Sequence, residues 1–193
     1  MSLPRLLVII ASVRSVRIGK PIADWFVSAA EEVGNFDIEV ADLAELDLPL
    51  MDEPHHPRLR NYTQDHTRRW SETVARADAA VWVTPEYNYS IIAPMKNAID
   101  YLSVEWAYLP TSFVSYGGVS AGLRGVEAAK QPLKAVGAVT TQASVMVPFA
   151  GSMMKDGEFH PSHEVEISVA PMLKELAVLH GALAGLRAER LGS

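Results

Sequence analysis

Residues 6–20 read Leu6-Leu7-Val8-Ile9-Ile10-Ala11-Ser12-Val13-Arg14-Ser15-Val16-Arg17-Ile18-Gly19-Lys20, and the change of character in the middle of this stretch decides the fold. The first five residues form a continuous apolar run rather than an alternating one, the signature of a strand covered on both faces of a parallel sheet. A short polar and basic segment follows, after which Ile22, Phe26, Ala29 or Ala30, and Val33 recur at helical spacing. Gly34-Asn35 supplies a helix stop and 36–41 reads as a second strand, so the chain opens with a βαβ unit.

Working outward, the same alternation continues. Trp70, Val74 and Ala77 mark a helix, 79–84 a third apolar strand, and 91–102 a helix with Pro94 in its first turn, where a missing N–H does no harm. The fourth strand is 111–116. A helix over 120–136 carries Leu123, Val126, Leu133 and Val136 on one face, with Pro132 expected to kink or divide it. The fifth strand is 139–147, and Val165, Val169, Met172, Leu173, Leu176 and Leu183 form the stripe of one long terminal helix. Residues 42–62, with Pro49, Pro54, Pro57 and His55-His56, read as an irregular surface loop. Five strands alternating with helices predict an α/β three-layer sandwich, residues 1–193 as one domain, because right-handed crossovers place helices on both faces of a parallel sheet. The length fits the flavodoxin-like strand order 2-1-3-4-5, in which ligands bind at the carboxyl ends of the strands near the switch between strands 1 and 3.

Composition narrows the function classes. The 17 Lys+Arg against 23 Asp+Glu leave a net charge of -6, which disfavours non-specific attraction to nucleic acid. The absence of cysteine excludes disulfides, thiolate metal sites, iron–sulfur clusters and a Cys nucleophile, so any redox chemistry must come from a bound cofactor. The run 135–154 is uncharged, but its Gly, Thr, Gln, Ser and Pro residues fit a buried strand with its loop better than a membrane span. A cytoplasmic protein without membrane contact is the expectation. His55-His56 and His160 with His163 lack a third ligand at a defined spacing, so no metal site is assigned. No GxSxG elbow accompanies the serines. A phospho-receiver would need acidic residues after the first strand, where this chain has arginines.

Three unusual segments fall in the loops after strands 1, 3 and 4, side by side in the expected sheet. The first runs into a helix N-terminus, where backbone N–H groups, the helix dipole, Ser12, Ser15, Arg14 and Arg17 together suit a phosphate dianion. It matches neither a Walker loop nor GxGxxG. The second, Pro85-Glu86-Tyr87-Asn88-Tyr89-Ser90, offers planar apolar surface and hydrogen-bonding groups to a ring system. The third, Ser115-Tyr116-Gly117-Gly118, lets backbone approach a flat ligand closely. Trp25, Trp70 and Trp82 read as packing residues, whereas Trp106, in a loop with Tyr108, reads as a dimer contact or a lid.

In kind and spacing these segments resemble the NADPH-dependent FMN reductase family, flavodoxin-like enzymes that include quinone, azo-dye and chromate reductases. The family's phosphate loop is similar to Ser12, Arg14, Ser15, Arg17, Ile18 and Gly19, and its ring-binding loop to Pro85-Glu86-Tyr87-Asn88, continuing through Tyr89 and Ser90. Pro94 to Asp100, Ser115 to Gly118 and Arg124-Gly125 also resemble it. Ala11 departs from the family's usual Gly but keeps its N–H donor. The resemblance implies FMN, with its phosphate on residues 12–19 and its ring between 85–90 and 116–118. It implies NADPH, with NADH possible, as reductant, and a small-molecule acceptor such as a quinone, flavin or azo dye. Hydride transfer is expected in two half-reactions at one face, with no indispensable catalytic side chain. Backbone N–H groups of Gly117 and Gly118, or of Tyr87 and Asn88, are expected to stabilise charge on the reduced ring. A homodimer or homotetramer is implied as well. A flavodoxin-type electron carrier and a flavin-binding sensor are the competing readings. Arg14 and Arg17 at the site and the modest net charge favour an enzyme using an anionic reductant over a carrier.

Overall fold

The structure, a computed structural model, describes residues 3–192. Its elements in chain order are β1 (Arg5–Ile10), α1 (Gly19–Val33), β2 (Asp37–Asp42), α2 (Leu43–Leu46), α3 (Asp65–Ala75), β3 (Ala79–Pro85), α4 (Ala93–Asp100) and β4 (Pro110–Tyr116). There follow α5 (Leu123–Ala135), β5 (Val139–Thr140), β6 (Val145–Val147), β7 (Met154–Lys155), β8 (Glu158–Phe159), α6 (His163–Ile167) and α7 (Val169–Gly192). The main sheet is parallel in the order β2-β1-β3-β4-β5, with β6 also paired to β4.

The continuous apolar strands are buried on both sides. Leu7, Ile9, Ala80, Trp82 and Phe113 face one layer with Trp70, Ile99 and Leu133, whereas Leu6, Val8, Ile10, Val81 and Val114 face the other with Ile22, Phe26 and Leu173. In-phase pairing, Leu6 with Ala79 and Ala80 with Thr111, keeps each set on its own face. The fold therefore follows the expected three-layer sandwich.

Several elements differ from the sequence expectation. The fifth strand is split, because Glu175 of α7 accepts the N–H groups of Gln142 (2.8 Å) and Ala143 (2.7 Å) and pulls that stretch off the ladder. Residues 42–62 hold α2 and a 3-10 turn at Pro57–Leu59 rather than irregular chain throughout. The helix expected over 91–102 is confined to α4, since Ile92 is extended. The helix expected from residue 120 starts at Leu123, after Gly122 at φ 78, and Pro132 lies inside it without dividing it. The single terminal helix is two, α6 and α7, meeting at Ser168, where Pro171 has no N–H for the carbonyl of Ile167. Trp106 is neither a lid nor a surface contact: it is fully buried between Trp70 and Trp82, its Nε1 donating to Ile99 O at 3.1 Å.

The β7–β8 hairpin turns at Asp156-Gly157, both at positive φ, a sequence signal for a type I′ turn, and its Phe159 packs edge-on to Trp25. Residues 163–192 are long and apolar enough to cross a membrane (mean hydropathy 1.3), yet Val169, Met172, Leu173 and Leu176 are buried in the core. Arg187 in the same helix is also buried, donating to the carbonyls of Val74, Ala77, Glu105 and Ala107 at 2.8–3.1 Å, and burial pulls its pKa down to about 10.

Candidate functional site

The carboxyl ends of β1, β3 and β4 bring the three loops together around one cleft of ≈ 320 Å³. Ser12, Arg14, Arg17 and Ile18 line it from the first loop, Pro85, Glu86 and Tyr87 from the second, and Tyr116 and Gly117 from the third. The remaining expected residues support it from outside. Ser15 is exposed on the first loop, Gly19 sits behind it, and Asn88, Tyr89 and Ser90 form a turn tip. Ser115 is fully buried at the strand end, and Gly118 lies beyond the cleft wall.

In the first loop, Ala11 N–H continues the sheet ladder, donating to Val83 O at 3.0 Å, so the expectation that it remains a free donor is corrected. The first bond of α1 runs from Ile22 N–H to Ile18 C=O (3.2 Å), which leaves the N–H groups of Gly19 and Lys20 without an acceptor inside the helix. Arg17 has internal partners. It donates from Nη1 to Ser12 O (2.8 Å) and from Nη2 to Asp42 Oδ2 (2.5 Å), with both side chains largely buried. Asp42 Oδ1 meanwhile caps α2 by accepting Ala44 N–H at 3.0 Å. Arg17 is thus a strut between the loops after β1 and β2, and Arg14 is the exposed cation of the first loop.

The second loop is a tight turn in which Tyr87 and Ser90 exchange N–H···O bonds (3.1 and 3.0 Å) while Asn88 and Tyr89 take positive φ. Its Glu86 is clasped to the third loop by the Arg124 guanidinium, which also stacks over the Tyr89 ring at 3.7 Å. That ion pair holds the Glu86 carboxyl below its ordinary range, so the group is anionic. Gly125 permits the clasp, because a Cβ there would lie 2.9 Å from the Glu86 Cβ.

Tyr116 joins the first and third loops. A Cβ at Gly19 would sit 2.4 Å from the Tyr116 hydroxyl, so glycine is what allows α1 to start against that ring. Burial pushes the phenol pKa up, outweighing its hydrogen bond with Ser12, and keeps it protonated. Ser12 Oγ also lies 3.4 Å from Tyr87 Oη. Of the four expected backbone donors, Gly117 N–H is committed to Val147 O (3.2 Å) and Tyr87 N–H to Ser90 O. Among the described residues, no backbone carbonyl takes the N–H of Gly118 or Asn88.

Sequence reasoning missed Val16, Ala150 and Gly151, which also line the cleft. The last two are anchored by Ala150 N–H to Gly117 O (3.0 Å), beside Phe149 N–H to Gly118 O (2.9 Å). The available signal was a pair of small residues just after the fifth strand, on the same sheet edge as the other loops.

The family model described as NADPH-dependent FMN reductase matches residues 4–152. An NAD(P)H-dependent FMN reductase of Schizosaccharomyces pombe is 44% identical over 121 residues, covering 62% of this chain and 60% of that protein. A quinone reductase of Pseudomonas putida is 36% identical over 93 residues, covering 45% of this chain and 48% of that one. The chain spans about three fifths of the length of the FMN reductases it matches. The structure of FerB, a flavoenzyme NAD(P)H:(acceptor) oxidoreductase from Paracoccus denitrificans, superposes with a TM-score of 0.72 at 20% identity, covering 93% of this chain and 98% of that one, a likeness of fold.

Proposed function

The chain belongs to the NADPH-dependent FMN reductase family, and from that membership we propose that it binds FMN in the three-loop cleft and passes hydride from NAD(P)H to a small acceptor such as a quinone, flavin or azo dye. One observation carries the reading: three loops distant in sequence converge on a single cleft that is cationic at one end and flat and apolar at the other. The residues fit the group. The unbonded N–H groups at the start of α1, with Arg14, suit a phosphate dianion. Pro85 and Tyr87 give a planar wall, and nothing lies within 4 Å of the position a Cβ would take at Gly118, which leaves room beside the backbone.

Bound there, FMN supplies the centre that accepts and releases hydride. The chain binds, orients and adjusts electrostatics. Ser12 and the first loop hold the phosphate end, and the Glu86–Arg124 clasp fixes the second loop against the third. The N–H groups of Gly118 and Asn88 are the donors that remain for negative charge at the ring. Tyr116 stays neutral and places no charge beside the cofactor. Reductant and acceptor occupy one face in turn, so no second nucleotide site is required.

The test is spectroscopic and then kinetic. The folded protein incubated with FMN should retain a flavin absorbance after gel filtration, NADPH or NADH should bleach it, and rates at varied NADPH and quinone should give parallel double-reciprocal lines. A protein that stays colourless removes the reading. Intersecting lines would replace the alternating use of one face with simultaneous binding of both substrates.

A further inference from the structure

A second cleft, of ≈ 370 Å³, opens on the opposite side of the first loop. Ser12 and Arg14 line the flavin cleft while Val13 between them lines this one, so the two are separated by the thickness of one loop. Leu43 and Ala44 of α2 and Pro94 at the start of α4 form its inner surface, and Leu48 and Leu50 its outer wall. That wall is fixed in place. Asn97 donates to Pro49 O (2.7 Å) and accepts from Met51 N–H (3.0 Å), and the Tyr101 hydroxyl lies 3.0 Å from both Pro49 O and the Asp52 carboxylate.

The tethers hold Leu50 83% exposed to water at the rim, an unfavourable place for a leucine unless an apolar group covers it. The volume lies in the range of small-molecule sites, about 300 to 1,000 Å³. Charge separates this cleft from its neighbour: Asp47 is the charged residue in its lining, whereas Arg14 and Arg17 line the flavin side. An anionic nicotinamide dinucleotide is drawn to the arginines and repelled from Asp47.

We propose that this second cleft holds the apolar side chain of an uncharged electron acceptor, a quinone carrying an alkyl or isoprenoid tail, while the quinone ring is reduced at the flavin cleft. The proposal rests on the reading of the first cleft as a flavin site. Overall, NAD(P)H supplies two electrons and one proton as hydride, the solvent supplies the second proton, and the products are NAD(P)⁺ and the quinol.

The test compares a bare 1,4-benzoquinone with the same ring carrying a decyl chain, at saturating NADPH, in FMN-loaded protein. The chain should lower KM by on the order of tenfold, the scale of discrimination a hydrophobic pocket gives. Leu50→Glu at the rim and Ala44→Trp in the interior should each remove that advantage while leaving the KM of NADPH and of the bare quinone unchanged. Equal KM values for the two quinones, or an advantage that survives both variants, overturns the proposal. If neither quinone is reduced, the functional reading fails on its own account. Calorimetric titration of the decyl quinone into the same protein then reads the cleft directly: binding lost in Leu50→Glu supports the proposal and absence of binding overturns it.

Discussion

Arg17 and Asp42 show how far a side chain's role depends on its partner. If Arg17 held phosphate directly, Asp42 would compete with the ligand and Asp42→Asn would tighten FMN binding. The observed geometry, 2.5 Å between them with Arg17 also on Ser12 O, makes the pair a strut that sets the shape of the first loop. Asp42→Asn is therefore expected to weaken FMN binding roughly tenfold, as Arg17→Ala does, through loss of a charge-assisted hydrogen bond of about 1.5 to 3 kcal/mol. Fluorescence titration of FMN reads the sign, and tighter binding in Asp42→Asn would reject the strut. Gly19 gives a second residue-scale prediction. Gly19→Ala should lose FMN affinity because its Cβ would meet the Tyr116 hydroxyl, and adding Tyr116→Phe should restore part of it by removing that oxygen, the next ring carbon being 3.2 Å away. A double variant no better than Gly19→Ala would show that Tyr116 is not the obstacle.

Among the elements, the segment between β2 and α3 is the least regular in sequence and among the most firmly tied in the structure. Glu53 accepts the N–H groups of Thr63 (2.8 Å) and Gln64 (3.0 Å) just ahead of α3. Burial acts to raise its pKa, but those backbone bonds outweigh it and bring the group from 4.5 down to about 2. A depressed carboxylate contributes stability that is fully present above its unfolded pKa and is lost as pH falls through the folded one. The difference in urea midpoint between the native protein and Glu53→Gln should therefore be constant above pH 4.5 and shrink as pH approaches 2. A difference that does not change over that window would mean that the charge of Glu53 contributes nothing to holding the segment.

At the scale of the whole molecule, Val13, Val16, Leu50, Tyr89, Val119 and Phe149 are exposed apolar side chains on the loops about the two clefts. Apolar groups gathered at one edge are commonly covered by another surface, and we expect a homodimer or homotetramer with this edge near the subunit boundary. Light scattering at micromolar concentration checks it. A clean monomer would remove the assembly and leave the fold and the cleft as they are.

The periodicity of apolar residues determined the element order, and right-handed crossovers then left little choice of sheet, so the strand order and the edge bearing the site were legible from the chain. The site residues were legible as three segments because phosphate and ring binding favour particular residue types at strand ends. What each side chain does there was decided by the tertiary structure, since partners arrive from far along the chain. Asp42 engages Arg17, Arg124 takes up Glu86, and Ser115 is buried at the end of its strand. Trp106 belongs to the core because Trp70 and Trp82 meet it there, and Glu175 splits the fifth strand from a helix more than thirty residues later in the chain. Local sequence carries backbone preference and hydrophobic pattern; pairings of buried charges and rings form only when the layers close, and no short window of residues contains them.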